Sequence, residues 1–309
     1  MFIVVTITLG GSTLLPIVSF TKPELQIVHE VRELEKICQV HDQLQGSLFL
    51  DPSLNFSPDV PCLLALYEGE ELAGAMTFFA PTQEEAEVVA LTYPTYRRRG
   101  VFRALVQEAA RKATQLQIPD FLFVCEPQSV DGVAALGWFA SKPDHTEYAL
   151  RYDRNLPPDR LMTLSGLTMH RATAEDLAVM AQISAESFSE EVERAAHFME
   201  LALVSKTRRQ YLFRLDGEPV AIGALGIEDG ESTVYGLGVR SQLQNKGIGR
   251  SMVALLVRES YALGVEDILI EVDSTNARAH HLYLSCGFIA EATYDYLRAP
   301  VAQFLTQET

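Results

Sequence analysis

Cysteine is scarce in this chain. Its 309 residues hold four, Cys38, Cys62, Cys125 and Cys286. None stands in a C-x-x-C, and none falls at metal-ligand spacing from the seven histidines. The sequence therefore offers no disulfide framework and no metal site, and the expectation is four free thiols buried as small apolar groups. Long apolar runs are missing too: nothing approaches the roughly 20 residues that span a bilayer. The apolar start, Met1–Phe20, has no basic leader and is interrupted by Gly10-Gly11 and Pro16, so it reads as strand and not as a signal peptide. Clusters of Lys and Arg are also few. The chain carries 25 of them against 41 Asp and Glu, a net charge of −16 spread over both halves. That balance argues against nucleic acid as a partner, because a phosphate backbone demands grouped cations. It is compatible with an amine or cationic substrate, and with no signal peptide read in the sequence the expected location is cytoplasmic.

What the chain does have is length and pattern. With 48% hydrophobic residues it can bury two cores. A helix is expected across Pro23–Leu44, with Leu25, Val28, Val31, Leu34, Ile37 and Val40 recurring along one face. A strand is expected within Phe2–Leu9, and Gly137-Trp138 opens a strand pair ending near Tyr152. Asn155-Leu156-Pro157-Pro158-Asp159 is the best linker, because its two prolines forbid helix and central strand alike. After it the pattern starts again: Thr173 caps a helix, and a second helix covers Glu190–Ser205. Gly69-Glu70 matches Gly217-Glu218, Gly100 matches Gly247, and Gly137-Trp138 matches Gly287-Phe288, in order and at an offset of about 150 residues. The reading is a duplication: a domain over 1–154, a linker over 155–165, and a second domain over 166–309.

The most informative stretch is Val234–Ser251. Val234, Tyr235, Leu237 and Val239 form a strand that glycines keep open, and Arg240–Gln244 is a polar turn. Gln244-Asn245-Lys246-Gly247-Ile248-Gly249 then leads into a helix with Met252, Val253, Leu255, Leu256 and Val257 on its apolar side. Strand, glycine turn and helix N-terminus together make an anion site. The first-turn N–H groups have no partner in the helix, and the helix dipole places partial positive charge there. Glycine lets the backbone approach a phosphate closely, and Lys246 and Arg250 add charge. The pattern is not the dinucleotide G-x-G-x-x-G, since Met252 takes the third glycine's place, and no Gly-Lys-Ser/Thr closes it as a P-loop.

This turn resembles the Q/R-x-x-G-x-G/A turn of the GCN5-related N-acetyltransferase (GNAT) superfamily, which binds the pyrophosphate of acetyl-CoA. Asn276-Ala277-Arg278-Ala279-His280-His281-Leu282-Tyr283-Leu284-Ser285-Cys286-Gly287-Phe288 is similar to that family's second motif, an Asn, an Ala, a Leu-Tyr and a Gly-Phe that opens a strand. The resemblance implies an α/β (α+β) chain of two tandem acyl-CoA N-acyltransferase folds, each a mixed, mostly antiparallel sheet flanked by helices. Only the second copy carries both motifs. In the first, Phe102 stands where Gly or Ala is expected, and Glu126 and Val133 stand opposite Asn276 and Tyr283. The first copy is therefore read as a degenerate domain that covers the second, an intrachain pseudo-dimer expected to be monomeric; cofactor binding by Arg97–Gly100 is its other reading, since some members of the family carry a Phe at that place.

The activity implied by the resemblance is acetyl transfer from acetyl-CoA to a primary amine of a small molecule or peptide by direct attack. The cofactor-binding set it implies begins with the backbone of Leu237, Gly238 and Val239, one N–H of which would meet the thioester oxygen. It continues through Gln244, Asn245, Lys246, Gly247, Ile248, Gly249 and Arg250 to Asn276 and Tyr283. Tyr283 is the implied acid for the leaving sulfur, a phenol near pKa 10 being a fair match for a thiolate; a core aromatic is its other reading. Asn276 reads equally as a helix cap. The family's usual carboxylate position on the strand falls on Thr233, which cannot be a base, so the base is assigned to Glu231, with Glu228, Tyr235 or a water chain as other routes. The alternative function is a non-catalytic acyl-CoA-binding or regulatory protein.

Overall fold

The computed structural model describes residues 3–9, 12–140 and 142–305, with side chains from residue 17 onward. Along the chain run β1 (Ile3–Leu9), β2 (Ser12–Phe20), α1 (Leu25–Asp42), β3 (Leu63–Glu68), β4 (Glu71–Phe79), β5 (Glu85–Thr92), α2 (Val101–Gln115), β6 (Asp120–Cys125) and α3 (Val130–Leu136). There follow β7 (His145–Tyr152), β8 (Leu167–Arg171), α4 (Leu177–Phe188), α5 (Val192–Val204), β9 (Arg208–Leu215), β10 (Glu218–Glu228), β11 (Glu231–Val239), α6 (Ile248–Ala262), β12 (Asp267–Asp273), α7 (Ala277–Cys286) and β13 (Phe288–Pro300).

These elements fall into two compact units, Met1–Thr146 with Ala292–Thr309, and Glu147–Glu291. In the first, the strands order as β1-β2-β3-β4-β5-β6-β13, antiparallel except for the parallel pair β5–β6. In the second they order as β8-β9-β10-β11-β12-β7, antiparallel except for β11–β12. Each unit thus takes one strand from the other stretch of sequence: β13 pairs with β6, and β7 pairs with β12. The architecture is the tandem, mixed, mostly antiparallel sheet with flanking helices that the motifs imply.

Each sheet buries both faces. In the first unit Leu64, Leu66, Met76, Phe78 and Val88 pack against Leu105, Val106 and Ala109 of α2. Leu63, Ala65 and Ala75 face Val31, Leu34 and Cys38 of α1. In the second unit Val234, Ile268 and Ile270 meet Met252, Val253, Leu256 and Val257 of α6, while Leu212 and Ile222 meet Met180, Ile183 and Met199 of α4 and α5. Burial keeps the thiols protonated: it pushes Cys38 up to about 11, Cys62 and Cys125 up to about 12, and raises Cys286. All four cysteines are free. Among the described residues no helix is long and apolar enough to cross a membrane.

Local readings differ from the structure at two points. The buried stripe of α1 is Val31, Leu34, Glu35 and Cys38, whereas Leu25 and Val40 are 88% and 83% exposed. A spacing of three slips about 60° per step against a helix of 3.6 residues per turn, so the ends of that series leave the core face. Trp138 opens no strand; it is 88% exposed, and the single strand β7 begins at His145. Phe2, placed in the first expected strand, lies outside the described residues. Thr173 does cap, forming a capping box with Asp176 at the turn that leads into α4.

Candidate active site

Two features open the middle of the second sheet. The parallel pairing of β11 with β12 runs from Glu231↔Asp267 to Val234↔Ile270 and stops there. Beyond it β11 keeps its β10 partner but has no ladder on the β12 side. On that β10 side the register shifts, with Ile222↔Gly238 followed by Ala224↔Tyr235, so Gly223 faces both Gly236 and Leu237. This is a bulge, and Gly236 takes it with φ +63. The bulge flips the strand's alternation. Leu237 turns toward Leu256 of α6, and Gly238 turns toward Ser187 at the end of α4. The backbone of Leu237, Gly238 and Val239 therefore edges a slot between two diverging strands.

Gly238 leaves no room for a side chain. A Cβ there would lie 2.8 Å from Ser187 Oγ and 2.9 Å from Ser187 Cβ. Gly238→Ala is accordingly expected to lower stability by about 1–3 kcal/mol, read by thermal or urea unfolding. The Ser187 hydroxyl is buried and makes no hydrogen bond among the described residues, an orphan polar group beside the slot. Glu186 next to it accepts from Ser241 N (2.6 Å) and Arg240 (3.2 Å), tying the end of α4 to the turn after β11.

That turn is shaped for an anion. Gln244 Nε2 donates to Val239 O at 3.2 Å, and Arg278 donates to Gln244 Oε1 at 3.1 Å, which fixes the turn's entry. Asn245 (φ +62) and Gly247 (φ +82) both take left-handed backbone, and Gly247 is the N-cap of α6. The amides of residues 245–250 find no acceptor among the described residues. A left-handed turn and a helix start that present free N–H groups in succession form a concave nest for phosphate oxygens. Lys246 is exposed there without an ion pair among the described residues, whereas the Arg250 guanidinium is held by Ser285 O (3.3 Å) and Ser285 Oγ (2.7 Å). Gly249 lets Leu282 of α7 approach, since a Cβ would stand 3.2 Å from its methyl.

On α7, Asn276 is the N-cap, its Oδ1 accepting from Ala279 N at 3.1 Å. Tyr283 lies within the α6-side core, 7% exposed, its ring 6.3 Å from that of Phe288. Its hydroxyl has no hydrogen-bond partner among the described residues. Burial pushes the phenol up to about 12, so it stays protonated at neutral pH. Glu231 sits apart from this group, at the paired end of β11. It belongs to a carboxylate trio around Arg151, with Glu231 at 2.8 Å, Glu291 at 2.6 Å, and Asp267. Strand pairing adds a carboxylate that the sequence reading missed. Glu271 is the first residue of β12 past the last β11 pair; it is exposed and alternates to the face away from α6. The end of a parallel ladder is a tertiary fact, so no local pattern marked it.

The first unit repeats the turn. Arg97 Nε donates to Thr92 O at 3.2 Å as Gln244 does to Val239 O, and Arg98 (φ +60) and Gly100 (φ +88) match Asn245 and Gly247. Its parallel pairing also stops early, at Val88↔Phe123. Yet β4 pairs with β5 in unbroken register, without the bulge. The Phe102 ring fills the Gly249 position, 6.3 Å from Phe123 and 6.4 Å from Phe139.

The ladder that ends early, the strand bulge and the glycine turn at the head of the next helix thus lie in consecutive elements, β10 through α6. The sequence profile of the Acetyltransferase (GNAT) family matches residues 28–139 and again 177–288. The chain belongs to that family, as a tandem member. It is 31% identical over 103 residues to the [Ribosomal protein bS18]-alanine N-acetyltransferase of Escherichia coli (strain K12), spanning 31% of this chain and 70% of that protein. Its fold is similar to that of a GCN5-related N-acetyltransferase from Sphaerobacter thermophilus (TM-score 0.71, 16% identity, 92% and 96% of the two chains). It is also similar to a tandem GNAT protein from the clavulanic acid biosynthesis pathway (TM-score 0.70, 15% identity, 93% and 98%).

Proposed function

We propose that this chain is an acetyl-CoA-dependent N-acetyltransferase whose second unit does the chemistry on a primary amine of a small molecule or peptide. The observation that carries the reading is the coincidence, in that unit alone, of the bulged strand, the nest of free amides and a buried phenol with an unpartnered hydroxyl. The amides of residues 245–250 and Lys246 would hold the pyrophosphate of acetyl-CoA, and the open edge of Leu237–Val239 its pantetheine arm. Acetyl-CoA supplies the thioester. The chain would supply the rest: an N–H of the bulged strand as donor to the carbonyl oxygen, and Tyr283 as proton donor to the leaving sulfur. The relative's action on an alanine amine supports an amine acceptor here.

The base must reach the attacking nitrogen, across the carbonyl carbon from the sulfur. Glu271 borders the slot on the face opposite the α6–α7 side where Tyr283 lies, which supports it for that role. Glu231 is a second candidate, and Arg151 holds its carboxylate. The experiment is a pair of substitutions. Glu271→Gln is expected to lower kcat/KM for an amine by about 100-fold and to flatten the acid limb of its pH profile. Glu231→Gln is expected to cost stability through the Arg151 cluster and to leave the pH profile in place. The reverse pattern would transfer the role to Glu231.

A further inference from the structure

The irregular segment after α1 in the first unit is held as though it were a bound peptide. Residues 43–50 form no regular secondary structure, yet side chains take their polar backbone groups one after another. Gln45 N donates to both oxygens of Glu126 (2.9 and 3.1 Å), and Gly46 N donates to Glu126 Oε1 (2.8 Å). Gln39 Nε2 donates to Gly46 O at 2.9 Å. Leu48 N donates to Glu35, and Arg32 donates to Leu48 O at 2.8 Å. Arg32, Glu35 and Gln39 stand at i, i+3 and i+7, one stripe of α1. Glu126 and Glu35 are each 6% exposed; besides these amides Glu126 accepts from Gln128 Nε2 at 2.6 Å and Glu35 pairs with Arg32 at 3.2 Å, so both carboxylates meet protein donors and not solvent. Leu48 and Leu50 anchor the segment in the core that α1 shares with Leu91. Gly46 is wedged: a Cβ would lie 3.1 Å from the Tyr294 ring and 3.2 Å from Glu126 Oε1.

The segment's tether, Glu126, stands at the rim of the first unit's own slot. One arm of that slot is β5 beyond Val88, whose Thr92 O takes Arg97 Nε and, at 3.5 Å, the Cys38 thiol of α1. The other arm is β6, and Glu126 follows directly on its last residue, Cys125. In the second unit the repeat position of Glu126 is Asn276, whose side chain faces its own helix, and a helix, α5, stands where the first unit has the irregular segment.

We infer that the slot of the first unit holds the chain's own residues 45–50 as a permanent ligand, with Glu126 as its tether, and is closed to acyl-CoA and amine. This rests on reading the second unit's slot as the acyl-transfer site, and the tests separate the two. Amide hydrogen exchange of the full chain is expected to show Gln45, Gly46 and Leu48 protected without any ligand. Glu126→Ala is expected to speed exchange at Gln45 and Gly46 by about tenfold or more. Calorimetric titration is expected to give one acetyl-CoA per chain, with protection gained at residues 244–250 and unchanged at 45–50. Rapid exchange at 45–48 in the unliganded protein, or a second acetyl-CoA that alters it, would overturn the inference. If no acetyl-CoA bound, the transferase reading would fall, while slow exchange at 45–48 lost in Glu126→Ala would still uphold the tether. Gly46→Ala, which crowds Tyr294 and Glu126, supplies an independent variant with the same expected loss of protection.

Discussion

Gly247→Asp is expected to weaken acetyl-CoA binding by at least about 100-fold, and Gly247→Asn by no more than about tenfold. The two side chains are nearly isosteric. Both must adopt the left-handed φ of +82, a conformation that Asn and Asp tolerate better than other non-glycine residues. Strain therefore cancels in the comparison and charge remains. A carboxylate at the head of α6 would take the amides meant for phosphate and oppose it directly; two like charges about 4 Å apart near a surface repel by about 4 kcal/mol, more than the 2.7 kcal/mol that 100-fold represents. Calorimetry on both variants checks this. Equal losses would mean that backbone strain, and not anion recognition, governs the site.

The second large effect is expected at Tyr283. Tyr283→Phe removes one oxygen that bonds to nothing among the described residues, so the unfolding midpoint should hardly move. Its kcat should fall by about 100- to 1,000-fold, or about 3–4 kcal/mol of barrier, with KM for acetyl-CoA nearly constant. The pH dependence follows from the raised phenol. An unfolded tyrosine ionises near 10, and the folded one is pushed up to about 12. The contribution to stability is thus complete below pH 10 and is lost as pH rises from 10 through 12. Over that window the wild type should lose stability that the Phe variant keeps, and below it the acid should stay loaded. An unchanged kcat in the variant would make Tyr283 a core aromatic only.

How much of this was legible beforehand depended on how local each feature is. The left-handed glycine turn before α6, the caps at Thr173 and Asn276 and the duplication are written in short stretches of chain, and the sequence reading reached them. The exchange of β7 and β13 was not legible, because an alternating strand pattern names no partner. The bulge at Gly236 depends on which residue of β10 lies opposite, and Glu271 became visible only where a ladder ended. The stripe of Arg32, Glu35 and Gln39 reads as an ordinary solvated helix face until the segment it holds is in place. Glu126, a mere absence of Asn in the sequence, turned out to hold a segment of its own.

The most direct test of the central claim is product formation. Purified protein with acetyl-CoA would be offered a panel of primary amines and short peptides with free N-termini, with free thiol and acetylated product followed together by mass spectrometry. The account predicts stoichiometric release of thiol and acetyl-amine above the uncatalysed rate, lost in Gly247→Asp and strongly reduced in Tyr283→Phe. Saturable acetyl-CoA binding with no acetylated product from any acceptor would contradict it, and would leave an acyl-CoA-binding protein without transferase chemistry.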